Sequence, residues 1–152
     1  MKGDPIPPED HLALHCQPLT GMEFDASGAP VGINRDAFRV DDDGISTNWI
    51  EFDGGTFATT CLLLASVRVA RNGHRVGVMN VGAALEIGSD GGKVMAAIHD
   101  PIEPPEKPNP GHALLTGVAA GDVEVLDQLA LLVDLEPFGA DAIALSKSIF
   151  NR

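Results

Sequence analysis

Residues 11–16, HLALHC, form the first regular pattern in the chain, because apolar side chains recur at every second position. Strict alternation favours a β-strand with its apolar face turned inward, and Pro18 would end a helix early. A short helix stays open as an alternative, since Pro8 is followed by two acidic residues, as in many first helical turns. The stretch is therefore interpreted as a strand or a short helix, with the strand favoured.

The rest of the chain predicts strands that alternate with helices. The β-branched and aromatic content of residues 36–40 and 44–52, on either side of a turn-prone DDDG, predicts two antiparallel strands. Apolar periodicity, glycine turns and proline stops predict the remaining elements. These are helices over 56–73, 82–92 and 121–137 and strands over 74–81, 93–100 and 112–118. Such an order indicates crossover connections and at least partly parallel pairing.

We expect an α+β fold, with mixed α/β as the alternative. Its centre would be a mixed sheet of about five strands carrying two or three packed helices. The 152-residue length fits one globular domain over residues 1–137, followed over 138–152 by a C-terminal helix or a tail. Residues 17–36 predict a loop or loose hairpin that adds little core, and the five prolines of residues 101–111 predict an extended surface loop.

Charge restricts the possible partners. Ten Lys and Arg residues stand against 22 Asp and Glu, a formal net charge of −12. This charge repels nucleic-acid phosphates and anionic lipid, so we expect neither non-specific nucleic-acid binding nor membrane binding, but a protein partner with a basic surface. The one cluster of positive charge comprises Arg68, Arg71, His74 and Arg75. The solvated end of a helix is its favoured interpretation, and an anion site is the alternative.

The two cysteines show no spacing typical of a secreted disulfide framework, and the first residues lack an apolar signal core. We therefore expect a cytoplasmic, bacterial protein. No cofactor is indicated. His11 and His15 could share a zinc ion in a helix but lie about 13 Å apart in a strand, and the other His and Cys residues have no zinc-site spacing, so no metal site is predicted.

Five residues are candidates for catalysis: His11, Cys16, Glu51, His99 and His112. Cys16 is a nucleophile if a histidine lies close enough to form the thiolate, although a small buried apolar residue is the favoured interpretation. Glu51 is a general acid or base if the apolar surface of Trp49 and Phe52 raises its pKa, and an exposed edge residue otherwise. His99 and His112 flank the proline-rich loop, so they are expected to share a crevice with the others. At least two of His11, Glu51, His99 and His112 should touch each other or a common ligand.

Binding residues are expected where predicted strands end. They are Asn48, Trp49, Asn80 and Gly82. Asn80 and the amides near Gly82 lie where open sheets often bind ligands, although no phosphate-binding glycine motif is present. An ADP-ribosyltransferase-like site built from His11, Ser46-Thr47 and a later Glu is not favoured by its spacing.

Several short motifs together resemble a small bacterial family of uncharacterised function. Its pattern is an Asp-His start with a following Cys, an Asn-Trp-x-Glu strand, Asn-Val-Gly and two later histidines. The matching residues span about two thirds of the chain. They are Asp10, His11, Cys16, Asn48, Trp49, Glu51, Asn80, Val81, Gly82, His99, His112 and Ala113. This chain has Leu14-His15 before the cysteine, where members of the family tend to have a basic and an aromatic residue. The resemblance implies no activity.

Two classes of function follow. The first is an acidic accessory or neutralising module that binds a protein partner in a bacterial two-gene defence or toxin-antitoxin-like system, since no motif has catalytic spacing. The alternative is a small hydrolase or transferase with a Cys/His/Glu or metal-assisted site. Convergence of the candidate side chains would favour the enzyme.

Overall fold

Residues 2–150, the part of the chain that this computed structural model describes, form strands and helices of the expected α+β class. The strands are β1 (His11–Cys16), β2 (Met22–Phe24), β3 (Pro30–Ile33), β4 (Val40–Asp41), β5 (Gly44–Trp49), β6 (Arg75–Asn80), β7 (Ala96–His99), β8 (His112–Thr116) and β9 (Asp134–Pro137). The α-helices are α1 (Phe57–Val67), α2 (Val81–Asp90), α3 (Val123–Leu132) and α4 (Ala140–Phe150). Short 3-10 turns occupy Arg35–Ala37 and Phe52–Gly54. The strand interpretation of residues 11–16 is confirmed.

The main sheet has seven strands, with β7, β8, β5, β1, β6 and β9 in that order and β4 beside β5. All of its pairings are antiparallel, so the expected mixed sheet with parallel pairs is wrong. The expected crossovers exist, since α1 joins β5 to β6, α2 joins β6 to β7 and α3 joins β8 to β9, each pair pointing the same way. Other strands lie between the members of each pair, so each strand contacts antiparallel neighbours.

The sheet lies between two helical layers. Leu12, Leu14 and Cys16 point from β1 into a core that α2 and α3 complete. Ala13 points to the opposite face, into a second apolar cluster that includes Cys61 of α1 and Ala142 of α4. Alternate side chains of one strand thus enter two different cores, which explains why residues 12–14 are all buried.

Helix boundaries follow from local caps. Thr56 and Thr59 form a capping box that begins α1. The helix ends at Val67, before the expected Asn72-Gly73, because Arg68 takes an extended conformation with φ −141° and ψ 154°. α3 also ends early, and residues 134–137 of its predicted range instead pair with β6 as β9.

The segment 17–36 contains the hairpin of β2 and β3. Met22 and Ile33 at its base are 7% and 4% exposed and belong to the main core. The expectation that this segment adds little core is therefore wrong, because antiparallel pairing turns these two side chains inward.

Helix α4 packs on α1 and is fastened by a buried serine. Ser146 is fully buried, and its hydroxyl accepts a hydrogen bond from Ala70 N at 2.8 Å and donates one to Arg68 O at 3.3 Å. Residues 140–150 thus share the second apolar cluster with α1. Residues 151 and 152 of the expected tail lie outside the described residues.

Replacement of Ser146 by alanine should lower the free energy of unfolding by about 1–3 kcal/mol, because it leaves the buried Ala70 amide without an acceptor. Urea denaturation of the whole chain measures this. Ser89→Ala is the matched control, since Ser89 is an exposed serine of α2, and it should change stability by less than about 0.5 kcal/mol. Equal effects of the two substitutions would contradict the role given to Ser146.

Candidate functional site

Three adjacent strands bring a serine, a histidine and an aspartate together on the α1 face of the sheet. Ser46 lies on β5, His112 begins β8, and Asp100 follows β7 directly. His112 is opposite Asn48, and Leu114 is opposite Ser46, so His112 and Ser46 are diagonal neighbours on one face.

The imidazole of His112 joins the other two residues. Ser46 Oγ lies 2.6 Å from His112 Nε2. On the other side of the ring, Nδ1 lies 2.9 Å from the backbone oxygen of Asp100 and 3.2 Å from its Oδ2. Because both Asp100 atoms are acceptors, the hydrogen bonds assign the proton to Nδ1 and leave the Nε2 lone pair facing the serine hydroxyl. This is the arrangement in which a histidine can take a proton from serine.

The His112 ring is firmly held. Its side chain is 10% exposed and that of Asp100 is 21% exposed. Asp100 N donates to His112 O at 2.8 Å, and Lys2 Nζ lies 3.5 Å from Asp100 Oδ1. Backbone and side-chain contacts thus fix the histidine and the aspartate relative to each other.

Ser46 and His112 line an open cavity of about 680 Å³, a volume within the range of small-molecule sites. The sheet forms its floor, Leu64 and Val67 of α1 form one wall, and residues 100–109 contribute the other. The serine–histidine pair is therefore accessible to a ligand that enters between α1 and the proline-rich loop.

Two buried amides attach that loop to the floor. Asn48 Nδ2 donates to Asn109 Oδ1 at 2.8 Å, and Asn109 Nδ2 donates to Asn48 Oδ1 at 3.0 Å. Backbone hydrogen bonds in both directions between Ile102 and Asn109 close the loop upon itself. Asn48 thus holds a wall of the cavity, and its amide is already committed to Asn109.

His11 and Glu51 form a separate pair where β1 begins. His11 Nδ1 lies 2.6 Å from Glu51 Oε2, and His11 N donates to Glu51 Oε1 at 2.8 Å. The sequence predicts that at least two of His11, Glu51, His99 and His112 touch each other or a common ligand, and His11 and Glu51 touch each other. Within residues 2–150, however, neither a hydroxyl nor a thiol contacts the His11 ring, so the pair has no nucleophile.

His99 does not share the cavity with His112. It is opposite Ala113, one residue after His112, so the two histidine side chains point to opposite faces of the sheet. His99 packs against Phe52 and Trp49 with ring centroids 4.5 and 5.5 Å away, and its Nε2 lies 2.7 Å from Pro110 O. Its position corrects the expectation of one crevice for both histidines.

Cys16 is an unsuitable nucleophile. It is 1% exposed in the main core, where its Sγ contacts Leu14 O at 3.7 Å. Burial raises the pKa of the Cys16 thiol to about 11, which disfavours the thiolate. The interpretation of Cys16 as a small buried apolar residue fits these surroundings.

The remaining expected binding residues secure the N-terminal segment. Asn80 caps α2 by accepting from Ala83 N at 2.9 Å, and it donates to Pro8 O at 3.0 Å. Trp49 Nε1 donates to Asp10 Oδ2 at 2.9 Å. A Cβ atom on Gly82 would lie 3.0 Å from the Pro8 oxygen, so its missing side chain permits this close approach.

The sequence interpretation missed Asp100 and did not combine Ser46 with His112. The ADP-ribosyltransferase-like alternative groups Ser46 with Thr47 and His11, but Thr47 points to the other face and donates to Ala113 O at 3.1 Å. The available signal was an aspartate directly after a strand and a histidine at the start of the next strand. The strand order that adds β5 to this pair is not visible in the sequence.

Comparison with known proteins gives no match to a family model, a curated protein or a solved structure. The resemblance to a small bacterial family therefore stays a prediction. Residues 2–150 contain no group of three or more His, Cys, Asp and Glu side chains arranged to hold a metal ion. No helix in the same range has both the length and the apolar character needed to cross a membrane.

His15 also lines the cavity, and it is held in the neutral form. Its Nε2 lies 2.8 Å from His74 Nδ1, and its ring packs against Phe138. Burial, followed by the nearby His74 and Arg68, lowers the pKa of His15 to about 4 from 6.5. Since the folded-state pKa is depressed, the neutral ring contributes stability above pH 6.5 that is lost as the pH falls toward 4.

We expect acid to destabilise the wild-type chain more than the variant His15→Gln, which cannot titrate at this position. Between about pH 7 and about pH 5 the difference in lost unfolding free energy should be about 2 kcal/mol. Urea unfolding of both proteins at the two pH values gives this difference directly. Parallel pH dependence would show that His15 is not held neutral by folding.

Proposed function

We propose that the chain is a serine-dependent hydrolase acting on small esters or related acyl compounds. The observation that carries the proposal is the 2.6 Å contact between Ser46 Oγ and His112 Nε2 on the floor of the cavity, with Asp100 on the far side of the ring. The three residue types and their order of contact are those of a nucleophile, a base and the group that orients the base.

In the first half of the reaction, Ser46 Oγ attacks the acyl carbon while its proton moves to His112 Nε2. The tetrahedral intermediate then collapses, the bond to the leaving alcohol breaks, and His112 returns the proton to that alcohol. Asp100 accepts from Nδ1 throughout, which stabilises the imidazolium form of the ring. The product of this half is an acyl ester on Ser46.

In the second half, water attacks the acyl group and gives its proton to His112. Ser46 leaves with that proton, and the free acid departs. The net reaction consumes one ester and one water and yields one acid and one alcohol, with no other reactant.

Access of a ligand to Ser46 and His112 distinguishes a catalytic pair from a serine–histidine hydrogen bond that only stabilises the fold. A hydrogen bond that only satisfied two buried groups would require no adjoining space, whereas Ser46 and His112 both face a cavity of ligand size. The role of nucleophile that the sequence hypothesis gives to Cys16 is thus better suited to Ser46, and the role of general base that it gives to Glu51 or a histidine is better suited to His112.

Wild-type protein should hydrolyse p-nitrophenyl acetate, and Ser46→Ala should lower kcat by about a thousandfold or more because the nucleophile is lost. A fluorophosphonate should phosphonylate Ser46 with loss of fluoride, as read by mass spectrometry of the peptide that contains Ser46. His112→Gln should suppress both hydrolysis and labelling.

The control is Ser89→Ala, which removes an exposed hydroxyl far from these contacts and should retain both properties. Wild-type rates in Ser46→Ala, or an adduct confined to other residues, would overturn the proposal.

A second candidate function is that of an acidic module that binds a basic protein partner, as in a bacterial two-gene defence or toxin-antitoxin-like system. Two observations favour it, namely the net charge of −12 and the exposure of Phe24 and Val31, 45% and 64%, on the β2–β3 hairpin. An exposed apolar surface on a strongly acidic chain suits a partner of opposite charge. The free Cys16 and Cys61 support a cytoplasmic location within the same proposal.

For this second function, co-expression with the product of a neighbouring gene should yield a complex that weakens as salt rises, because exposed charges are screened. Phe24→Ser combined with Val31→Ser should weaken the complex by about tenfold or more. Val94→Ser is the matched control, since Val94 is 95% exposed elsewhere on the surface. Calorimetric titration at low and high salt measures the effect, and an affinity that is unaffected by the paired substitution would argue against this surface.

A further inference from the structure

We infer that the cavity selects substrates with one compact anionic group, a carboxylate or a phosphate, which Arg39 and Arg68 bind beside the serine. This inference rests on the proposed hydrolase function and specifies its substrate class. It assigns to the two arginines the role of specificity residues, while the reacting atoms remain those of Ser46 and His112.

Arg39 is held next to the nucleophile by the backbone. Its carbonyl oxygen accepts a hydrogen bond from Ser46 N at 3.1 Å, where the chain enters β4 beside β5. The Arg39 side chain lines the same cavity as Ser46. A group bound by this guanidinium is therefore close to the serine.

Arg68 approaches from the helical layer. It is the C-terminal cap of α1, and its side chain also lines the cavity. The pKa of Arg68 is lowered, first by desolvation and then by the positive charge of Arg39, so the two guanidiniums lie within electrostatic range of each other. A bound anion would relieve this repulsion, and guanidinium groups bind carboxylate and phosphate oxygens in matching geometry.

Neither arginine has an acidic partner within ion-pair distance in the described part of the chain. This is notable in a chain with 22 Asp and Glu residues and only ten Lys and Arg residues. By comparison, Arg35 pairs with Asp127 at 3.0 Å and Lys93 pairs with Asp122 at 2.7 Å. Arg39 and Arg68 thus keep their donors available within a cavity.

The rest of the cavity limits the size of the anion. Carboxylates from β4, from the turn after it and from the proline-rich loop also line it, namely Asp41, Asp43, Glu103 and Glu106. These charges would repel an extended polyanion such as a nucleic acid, so a single anionic group near the arginines is the form that fits. The sequence leaves an anion site open as an alternative for the positive cluster that begins at Arg68. In the inferred site, Arg68 binds the anion together with Arg39 rather than with its neighbours in the chain.

The test compares a neutral ester, p-nitrophenyl acetate, with an anionic one, the p-nitrophenyl monoester of succinate. The ratio of kcat/KM for the anionic ester to that for the neutral ester should fall about tenfold or more in Arg39→Gln and in Arg68→Gln, mainly through KM. Arg71→Gln is the matched control, because Arg71 is an exposed arginine outside the cavity, and its ratio should equal that of wild type. An unchanged ratio in both cavity variants would overturn the inference. Hydrolysis of either ester by these variants would still support the proposed function.

A binding measurement separates the two proposals further. Ser46→Ala, which cannot hydrolyse, should still bind succinate or inorganic phosphate in calorimetric titration, and Ser46→Ala with Arg39→Gln and Arg68→Gln should bind the same probe at least about tenfold more weakly. Binding of succinate alone would identify carboxylate substrates, and binding of phosphate alone would identify phosphate-bearing ones. If neither succinate nor phosphate binds, the inference is overturned, whereas absence of ester hydrolysis by wild type overturns the proposed function.

Discussion

The antiparallel register between β5 and β8 determines which side chains can meet at the candidate site. His112 lies opposite Asn48, which places its ring diagonally beside Ser46 and on the face that α1 covers. A shift of one residue in this register would turn His112 into the main core and Ala113 toward the cavity, because successive residues of a strand point to opposite faces. The mutual hydrogen bonds of Asn48 and Asn109 reinforce the observed register, since they attach the loop before β8 to the C-terminal end of β5.

Local patterns in the sequence predict most of the elements but not their neighbours. Alternation in residues 11–16 identifies β1, and proline content identifies the loop before β8, because both are properties of consecutive residues. The insertion of β1 between β5 and β6 depends on contacts between residues far apart in the chain. Crossover helices therefore suggest parallel pairs that the sheet does not contain. The same limitation hides the meeting of Ser46 with His112, which are 66 residues apart.

The histidines show how surroundings decide chemistry for one residue type. His99 has its Nδ1 buried without a partner and its Nε2 engaged by a backbone oxygen, so neither nitrogen faces a reactive group. His15 shares a hydrogen bond with His74, and burial lowers its pKa to about 4. His112 alone among these three has an aspartate on one nitrogen and a hydroxyl on the other. The sequence makes His99 and His112 equal candidates for catalysis, because the difference between them arises from the sheet face and the neighbouring strands.

The net charge of the chain and the local charge of the two cavity arginines have opposite effects on anions. A chain of charge −12 repels anions at long range, so two arginines without acidic partners represent a local exception that folding maintains. Screening limits the long-range repulsion to about 10 Å in ordinary salt, whereas a guanidinium binds an oxyanion at hydrogen-bonding distance. A compact anionic substrate can therefore bind inside the cavity while polyanions are kept from the surface. The acidic composition that first indicates a protein partner is thus compatible with the proposed anionic substrate, provided that this substrate is small enough to reach Arg39 and Arg68.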